Sequence, residues 1–253
     1  MNALLMDVGN SRIKWGVLDD GAIRRTGHIS RERISEQGLT ALTSHLPRRV
    51  ETVVVSNVAG TSFATRLSGV VGMHCDVDVH FARSERRACG VENSYRQPRR
   101  LGVDRWVAMI GAFAEFGATC LVVDAGTAVT LDAIDGSGRH LGGQIIPGVG
   151  LMAASLAKET SDIPAVQRKA SGQGSSMGIF ASTTAAAVGQ GALNAVAGAI
   201  ERATRVMGEE DEEPVVILTG GDASRILKSL DGAAEHRPHL VLQGLARILE
   251  DRQ

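Results

Sequence analysis

The sequence predicts an α/β protein built from two copies of one strand-hairpin-helix plan, and two observations carry that prediction. An apolar run that ends in an aspartate and a glycine turn, "LLMDVGNSRIKWG", opens the chain, and the same device returns as "CLVVDAGTAVTLDAI". Later in each half a glutamate-led apolar run recurs in the same order, "ETVVVSN" at 51–57 and "EPVVILT" at 213–219. Repetition of a supersecondary unit at a long period means duplicated halves rather than one continuous sheet. The halves meet near Gly117, which predicts domains at 1–117 and 118–253.

Each element has a local reason. "ALLMDVG" is an apolar run stopped by glycine, and "SRIKWGVL" alternates before the turn "DDG", the pattern of a β-hairpin. "ETVVVSNVAG" reads as a buried strand delivered to a turn, with a helix from about Thr61 to Gly69. From Arg83 to Arg105 the chain is polar and arginine-rich, which suggests an exposed segment that carries function or a solvated loop. "DRWVAMIGAFAEF" has helical periodicity, with Trp106, like Trp15 earlier, on an apolar side.

The second half restarts with strands "TCLVVDAG", "TAVTLDAI" and "HLGGQII", the last two joined by the turn "DGSG". A helix follows from about Leu151 to Lys158, and the alanine-rich run from about Thr183 to Val206 reads as a long buried helix. The acidic "GEEDEE" reads as a loop. "PVVILTGGDASRILKSL" is a strand, a glycine turn and a helix, and "HLVLQGLARILE" closes as a short strand and a helix.

Composition narrows the function. With 253 residues, 43% of them apolar, and a formal net charge of -1, the chain can bury a core and has no global charge for nucleic acid or an anionic membrane. No apolar run reaches the roughly 18–20 residues that span a bilayer, and no secretory signal pattern opens the chain, so a cytoplasmic protein is expected. Cys75, Cys89 and Cys120 lack CxxC spacing and read as reduced thiols.

A glycine hairpin lets main-chain N–H groups converge on an anion, of which phosphate is the usual one. In "DVGNSRIK", Asn10 and Ser11 add donors, Lys14 adds a charge, and Asp7 can hold a metal ion or its waters. "DAGTAVT" repeats the device with Asp124 and Thr127. A single D-x-G turn is usually only a turn, but two in equivalent places favour a phosphate site. No G-x-x-x-x-G-K-[ST] loop exists, and the G-x-G-x-x-A string at Gly148, Gly150 and Ala153 is not followed by the acidic strand end of a dinucleotide fold. The cluster Arg83, Arg86, Arg87, Arg96, Arg99 and Arg100 has no interleaved aromatics for stacking bases and reads as a solvated face near an anionic pocket.

These motifs resemble the acetate and sugar kinase/Hsp70/actin superfamily and, more specifically, type III pantothenate kinases. In order along nearly the whole chain, "DVGNSRIKWG" is similar to the first phosphate motif, "YRQPRRLGVDRW" to the pantothenate and catalytic segment, "DAGTAVT" to the second phosphate motif and "LTGGDA" to the adenosine motif. The resemblance implies two duplicated ribonuclease H-like domains, as in actin-like ATPases, with an interdomain cleft, and ATP-dependent phosphorylation of pantothenate to 4′-phosphopantothenate, the first step of coenzyme A synthesis. It implies that Asp7, Val8, Gly9, Asn10, Ser11, Arg12, Ile13 and Lys14 surround ATP phosphates, that Thr127 meets them too, and that Gly220 and Gly221 take the adenosine. Tyr95, Gly102, Val103, Asp104 and Arg105 are implied in the pantothenate pocket, with Asp104 as proton acceptor and Arg105 beside the reacting group.

The resemblance further implies a monovalent cation, K⁺ or NH₄⁺, at Asp124, Mg²⁺ with ATP near Asp7, and a homodimer whose helix from Thr184 brings a threonine to pantothenate. Thr184 fits the family's spacing to Gly191 better than Thr183 does. The alternatives are a kinase of another small hydroxylated substrate, or a non-catalytic or dual-role transcriptional accessory protein on the same fold.

Overall fold

The computed structural model describes residues 2–163, 179–210 and 212–252. In the first part of the chain, β1 (Asn2–Val8), β2 (Arg12–Asp19) and β3 (Ala22–Ser30) form an antiparallel meander. Helices α1 (Arg31–Gln37) and α2 (Thr40–Thr43) lead to β4 (Thr52–Asn57), α3 (Thr61–Cys75) and β5 (Val79–Phe81). A small hairpin, β6 (Arg87–Ala88) and β7 (Val91–Glu92), precedes α4 (Val103–Phe116).

The plan then repeats with β8 (Cys120–Ala125), β9 (Ala128–Ile134) and β10 (His140–Pro147), followed by α5 (Val149–Glu159) and α6 (Thr184–Glu210). It closes with β11 (Val215–Thr219), α7 (Ala223–Leu227), β12 (Glu235–His236) and α8 (Leu240–Glu250).

Two five-stranded sheets result, ordered β3-β2-β1-β4-β5 and β10-β9-β8-β11-β12. In each, the third strand in that order pairs antiparallel with its hairpin partner and parallel with the next strand. The same order in both halves is the duplicated ribonuclease H-like architecture that the repeated motifs predict. The central strands are buried on both faces, which is why they read as continuous apolar runs rather than alternating ones.

One core packs Leu4, Met6, Val8, Ile13, Val53 and Val55 against α1, α2 and α3. The other packs Leu121, Val123, Val129 and Leu131 against α5, α6 and α7 in the same way. Each fully buried Leu, Ile or Val contributes roughly 1.5–3 kcal/mol relative to exposure, so both sheets are held chiefly by these faces. Trp106 is in the core and Trp15 packs half-buried against the first cluster.

The chain divides into two compact units, Met1–Gly117 with Ser137–His140 and His239–Gln253, and Ala118–Gly136 with Leu141–Pro238. The terminal residues, assigned to the second half on sequence grounds, therefore pack in the first unit. Their reason is α8, whose buried Leu240, Val241, Leu242, Leu245 and Ile248 lie against α4 and the first sheet. The two helices cross at paired glycines: a Cβ on Gly111 would lie 2.6 Å from Leu240 O, and one on Gly244 would overlap Val107 O.

Other expectations shift for physical reasons. "HLVL" opens α8 rather than forming a strand, and the short strand comes earlier, at Glu235–His236. Helix α3 runs past Gly69 to Cys75 because Phe63, Leu67, Val71 and Cys75 keep one face on the core. Helix α6 continues through Glu209 and Glu210, so the acidic run starts inside the helix, where Arg205 pairs with Glu209 one turn away. Only one face of α6 is buried, including Ala192, Val196 and Ile200. All three cysteines are free thiols, and burial pushes those of Cys89 and Cys120 up to about 11. Among the described residues no helix is long and apolar enough to cross a membrane.

Candidate active site

In the first unit the hairpin turn is closed by Gly9 N–H donating to Arg12 O at 3.0 Å. Asn10 and Ser11 are exposed at its tip, while Val8 and Ile13 are fully buried, so those two can offer a ligand only their main chain. Lys14 pairs with Asp7 across the hairpin, and Asp7 pairs with Ser56 on β4, which sets the three side chains in one row on one face of the sheet. His239 at the start of α8 lies near this row: burial, then the Lys14 charge, pulls its pKa down, and its Nδ1 is buried without a hydrogen-bond partner.

The arginine-rich segment keeps all six arginines of its cluster exposed, as expected of a solvated face, over a loop pinned from inside. Asn93, fully buried, donates to Glu85 O at 3.1 Å and Pro98 O at 3.2 Å and accepts from Tyr95 N at 3.0 Å. Arg86, though exposed, donates to Asn93 O and Arg96 O and so also ties the loop. Neither bond set is visible in composition, because only the tertiary fold buries Asn93 beneath this exposed loop.

That loop presents Tyr95 to the start of α4. Arg105, 6% exposed, donates to Tyr95 Oη at 3.1 Å, and the Tyr95 ring stacks on His140 with centroids 5.8 Å apart at 17°. His140 is fully buried, with Nδ1 3.3 Å from Ser94 Oγ. Asp104 sits half-buried in the first turn of α4, its Oδ1 accepting from Arg105 N at 2.8 Å. The structure thus brings Tyr95, Asp104 and Arg105 to one end of α4 with Gly102 and Val103, and adds His140, which the sequence placed only in a strand.

The second unit repeats the hairpin in a shorter form, with Gly126 N–H donating to Ala128 O at 3.0 Å and Thr127 exposed at the tip. Asp124 pairs with Thr130 and with Thr219, giving a row that matches Lys14, Asp7 and Ser56. Ser56 is therefore the counterpart of Thr219, one residue earlier than the match of "ETVVVSN" with "EPVVILT" implies. Both hydroxyls are buried and lack a hydrogen-bond partner. After Thr219 comes Gly220 at φ 97°, where a Cβ would lie 2.5 Å from Asp124 Oδ1 and from Ala125 O, so the Asp124 carboxylate packs against bare backbone.

Among the described residues no group of three or more His, Cys, Asp or Glu side chains could hold a metal by itself. A divalent ion here must complete its shell with nucleotide oxygens and water, the usual manner of magnesium, so the Asp7 carboxylate fits that ion as one ligand among several. At the start of α6, Thr183 Oγ1 accepts from Ala186 N at 3.3 Å and caps the helix, whereas Thr184 is the first helical residue and exposed.

Comparison with known proteins gives the family and the fold. Residues 3–206 match the model of the type III pantothenate kinase family. A type III pantothenate kinase of Nitrosococcus oceani is 36% identical over 98% of this chain and 94% of its own. Among solved structures, a Campylobacter jejuni protein assigned to the Baf family of transcriptional activators superposes with TM-score 0.63 at 22% identity, covering 98% of both chains. A ROK family glucokinase from Streptomyces griseus, in complex with glucose and AMPPNP, gives 0.53 at 16% identity, covering 97% of this chain and 98% of its own. The structures share the fold, and the sequence match places the protein: this chain belongs to the type III pantothenate kinase family.

Proposed function

We propose that this protein transfers the γ-phosphoryl group of ATP to the primary hydroxyl of pantothenate, giving 4′-phosphopantothenate and ADP, and that it does so in the cytoplasm. The observation that carries the reading is the assembly of Asp104, Arg105, Tyr95 and His140 at the start of α4, in a chain that also bears both glycine hairpins. Asp104 takes the proton as the hydroxyl oxygen bonds to phosphorus and the bond to ADP breaks. Arg105, its guanidinium held by Tyr95, faces the anionic oxygens in a fork geometry that lysine cannot copy.

The hairpin amides of Gly9 to Arg12 and the Lys14 charge serve the ATP phosphates, Thr127 serves them from the second hairpin, and Gly220 and Gly221 leave bare backbone for the adenosine. Kinases of this family use a divalent metal with ATP, which neutralises phosphate charge, and Asp7 is its protein ligand in this reading. Asp124, with the Ala125 carbonyl close to it, suits a monovalent cation, K⁺ or NH₄⁺.

Thr184 is the pantothenate threonine of choice because Thr183 is spent on the cap. A homodimer is proposed through α6, whose outer face carries exposed Ala187, Gly191, Ala195 and Gly198, small enough for close helix approach. ADP release from ATP, measured with and without pantothenate in potassium and then sodium buffer, tests the reading. Turnover that needs pantothenate and potassium is expected, and turnover indifferent to pantothenate sinks the substrate assignment.

A further inference from the structure

Between α1 and α3 the first unit holds a cavity of about 570 Å³, within the size range of small-molecule sites. Its walls include apolar Leu39, Val70 and Met73, yet its charged residues are two arginines and no carboxylate. Arg31 and Arg66 share one aromatic ring: their guanidinium carbons lie 3.7 Å and 5.7 Å from the centroid of Phe63. Among the described residues neither has an ion-pair partner, and Arg31 Nη1 is buried with no hydrogen-bond acceptor. Burial, followed by the Arg66 charge, pulls the Arg31 pKa down, the response of a cation lacking a counter-ion.

Two unneutralised guanidiniums within reach of one ring repel each other, and a buried donor without an acceptor is costly. An oxyanion with several acceptor oxygens removes both penalties, because guanidinium forks match phosphate geometry. We propose that this cavity is a second anion site, separate from the hairpins, that takes a phosphate monoester, the phosphate between Arg31 and Arg66 and the organic part along Leu39, Val70 and Met73. The site has a route to the first hairpin, since the Arg31 main-chain N–H donates to Ser11 O at 2.9 Å. Occupancy of the cavity therefore bears on the loop that carries Asn10 and Ser11.

Crystals of the full chain soaked in sodium tungstate, a heavy tetrahedral oxyanion, test the position. An anomalous peak between Arg31 and Arg66 is expected, and tungstate found only at the glycine hairpins overturns the site. Calorimetry with phenyl phosphate and with inorganic phosphate, both with AMPPNP saturating, tests the chemistry. Phenyl phosphate should bind more tightly than inorganic phosphate and lose at least ~10-fold in affinity in the R31Q/R66Q variant, with AMPPNP affinity unchanged. Equal affinity for the two phosphates overturns the monoester assignment, and unchanged phenyl phosphate affinity in the variant overturns the site. Should circular dichroism show the double variant unfolded, R66Q alone, at an exposed position, takes its place with a smaller loss expected.

Discussion

The two units share a sheet order, a hairpin and a cross-strand row of Asp beside a buried hydroxyl, yet they differ at the end of the fifth strand. Residues 82–102 separate β5 from α4 in the first unit, whereas only residues 237–239 separate β12 from α8. The added stretch carries Asn93, Tyr95 and the approach to Asp104. The second difference lies after the hydroxyl strand. Val58 N bonds back to Val8 O in the first copy, but the second needs one more residue, Asp222, to reach Ala125 O, because Gly220 and Gly221 are interposed. The two copies keep glycine hairpins of like geometry and each departs at one loop, which under the proposed function serves the acceptor in the first copy and the nucleotide in the second.

The largest test of this division is Asp104→Asn, which keeps the helix start and removes the proton acceptor. Turnover at saturating substrate should fall by ~10² to 10⁴ with the fold intact by circular dichroism. Near-normal turnover would return Asp104 to a capping role and leave the first unit's long loop without its chemistry.

Gly220→Ala comes next. The positive φ and the 2.5 Å approach to Asp124 and Ala125 leave no room for a methyl group, so chemical denaturation should show a loss of about 2–4 kcal/mol. Asn57→Ala, at the matching place in the first copy, removes only the side-chain bonds to Gly60 O and Ala59 N and should cost about 1 kcal/mol. Equal losses would erase the distinction between the two strand ends.

A finer comparison sets Thr219→Val against Ser56→Ala. Removing a buried hydroxyl that has no partner should leave stability unchanged or raise it by up to about 1 kcal/mol in the ligand-free protein, in both copies alike. A drop in either variant's urea midpoint would mean that its hydroxyl is bonded after all. The smallest effect concerns His239, which precedes α8 where Gly102 precedes α4. Its folded pKa is lowered, so below the ordinary histidine value of about 6.5 the unfolded chain takes the proton first and stability declines as pH falls. Urea unfolding at pH 7.5 and 5.5 should show a smaller decline in His239→Gln, and the same decline would remove His239 from the account.

The duplication was legible because buried central strands are continuous apolar runs and because Asp-x-Gly at a strand end is a local signal. Its register was not: the match of "ETVVVSN" to "EPVVILT" is off by one residue, since strand pairing, not residue type, decides that Ser56 and Thr219 stand beside the aspartates. The arginine cluster was legible as a solvated face, since all six side chains are exposed, but the two main-chain carbonyls to which Arg86 donates were not, because they depend on how the loop folds back.

By itself the sequence determined the central strands, the main helices, the two hairpins and the family, all of which depend on short-range pattern and on motif wording. Only the tertiary structure decided that His140 stacks on Tyr95, that α8 returns to the first unit, and that Arg31 and Arg66 both reach one phenylalanine. Each of those joins residues far apart in the chain, and such contacts follow from how faces pack once the sheets have formed rather than from local preference.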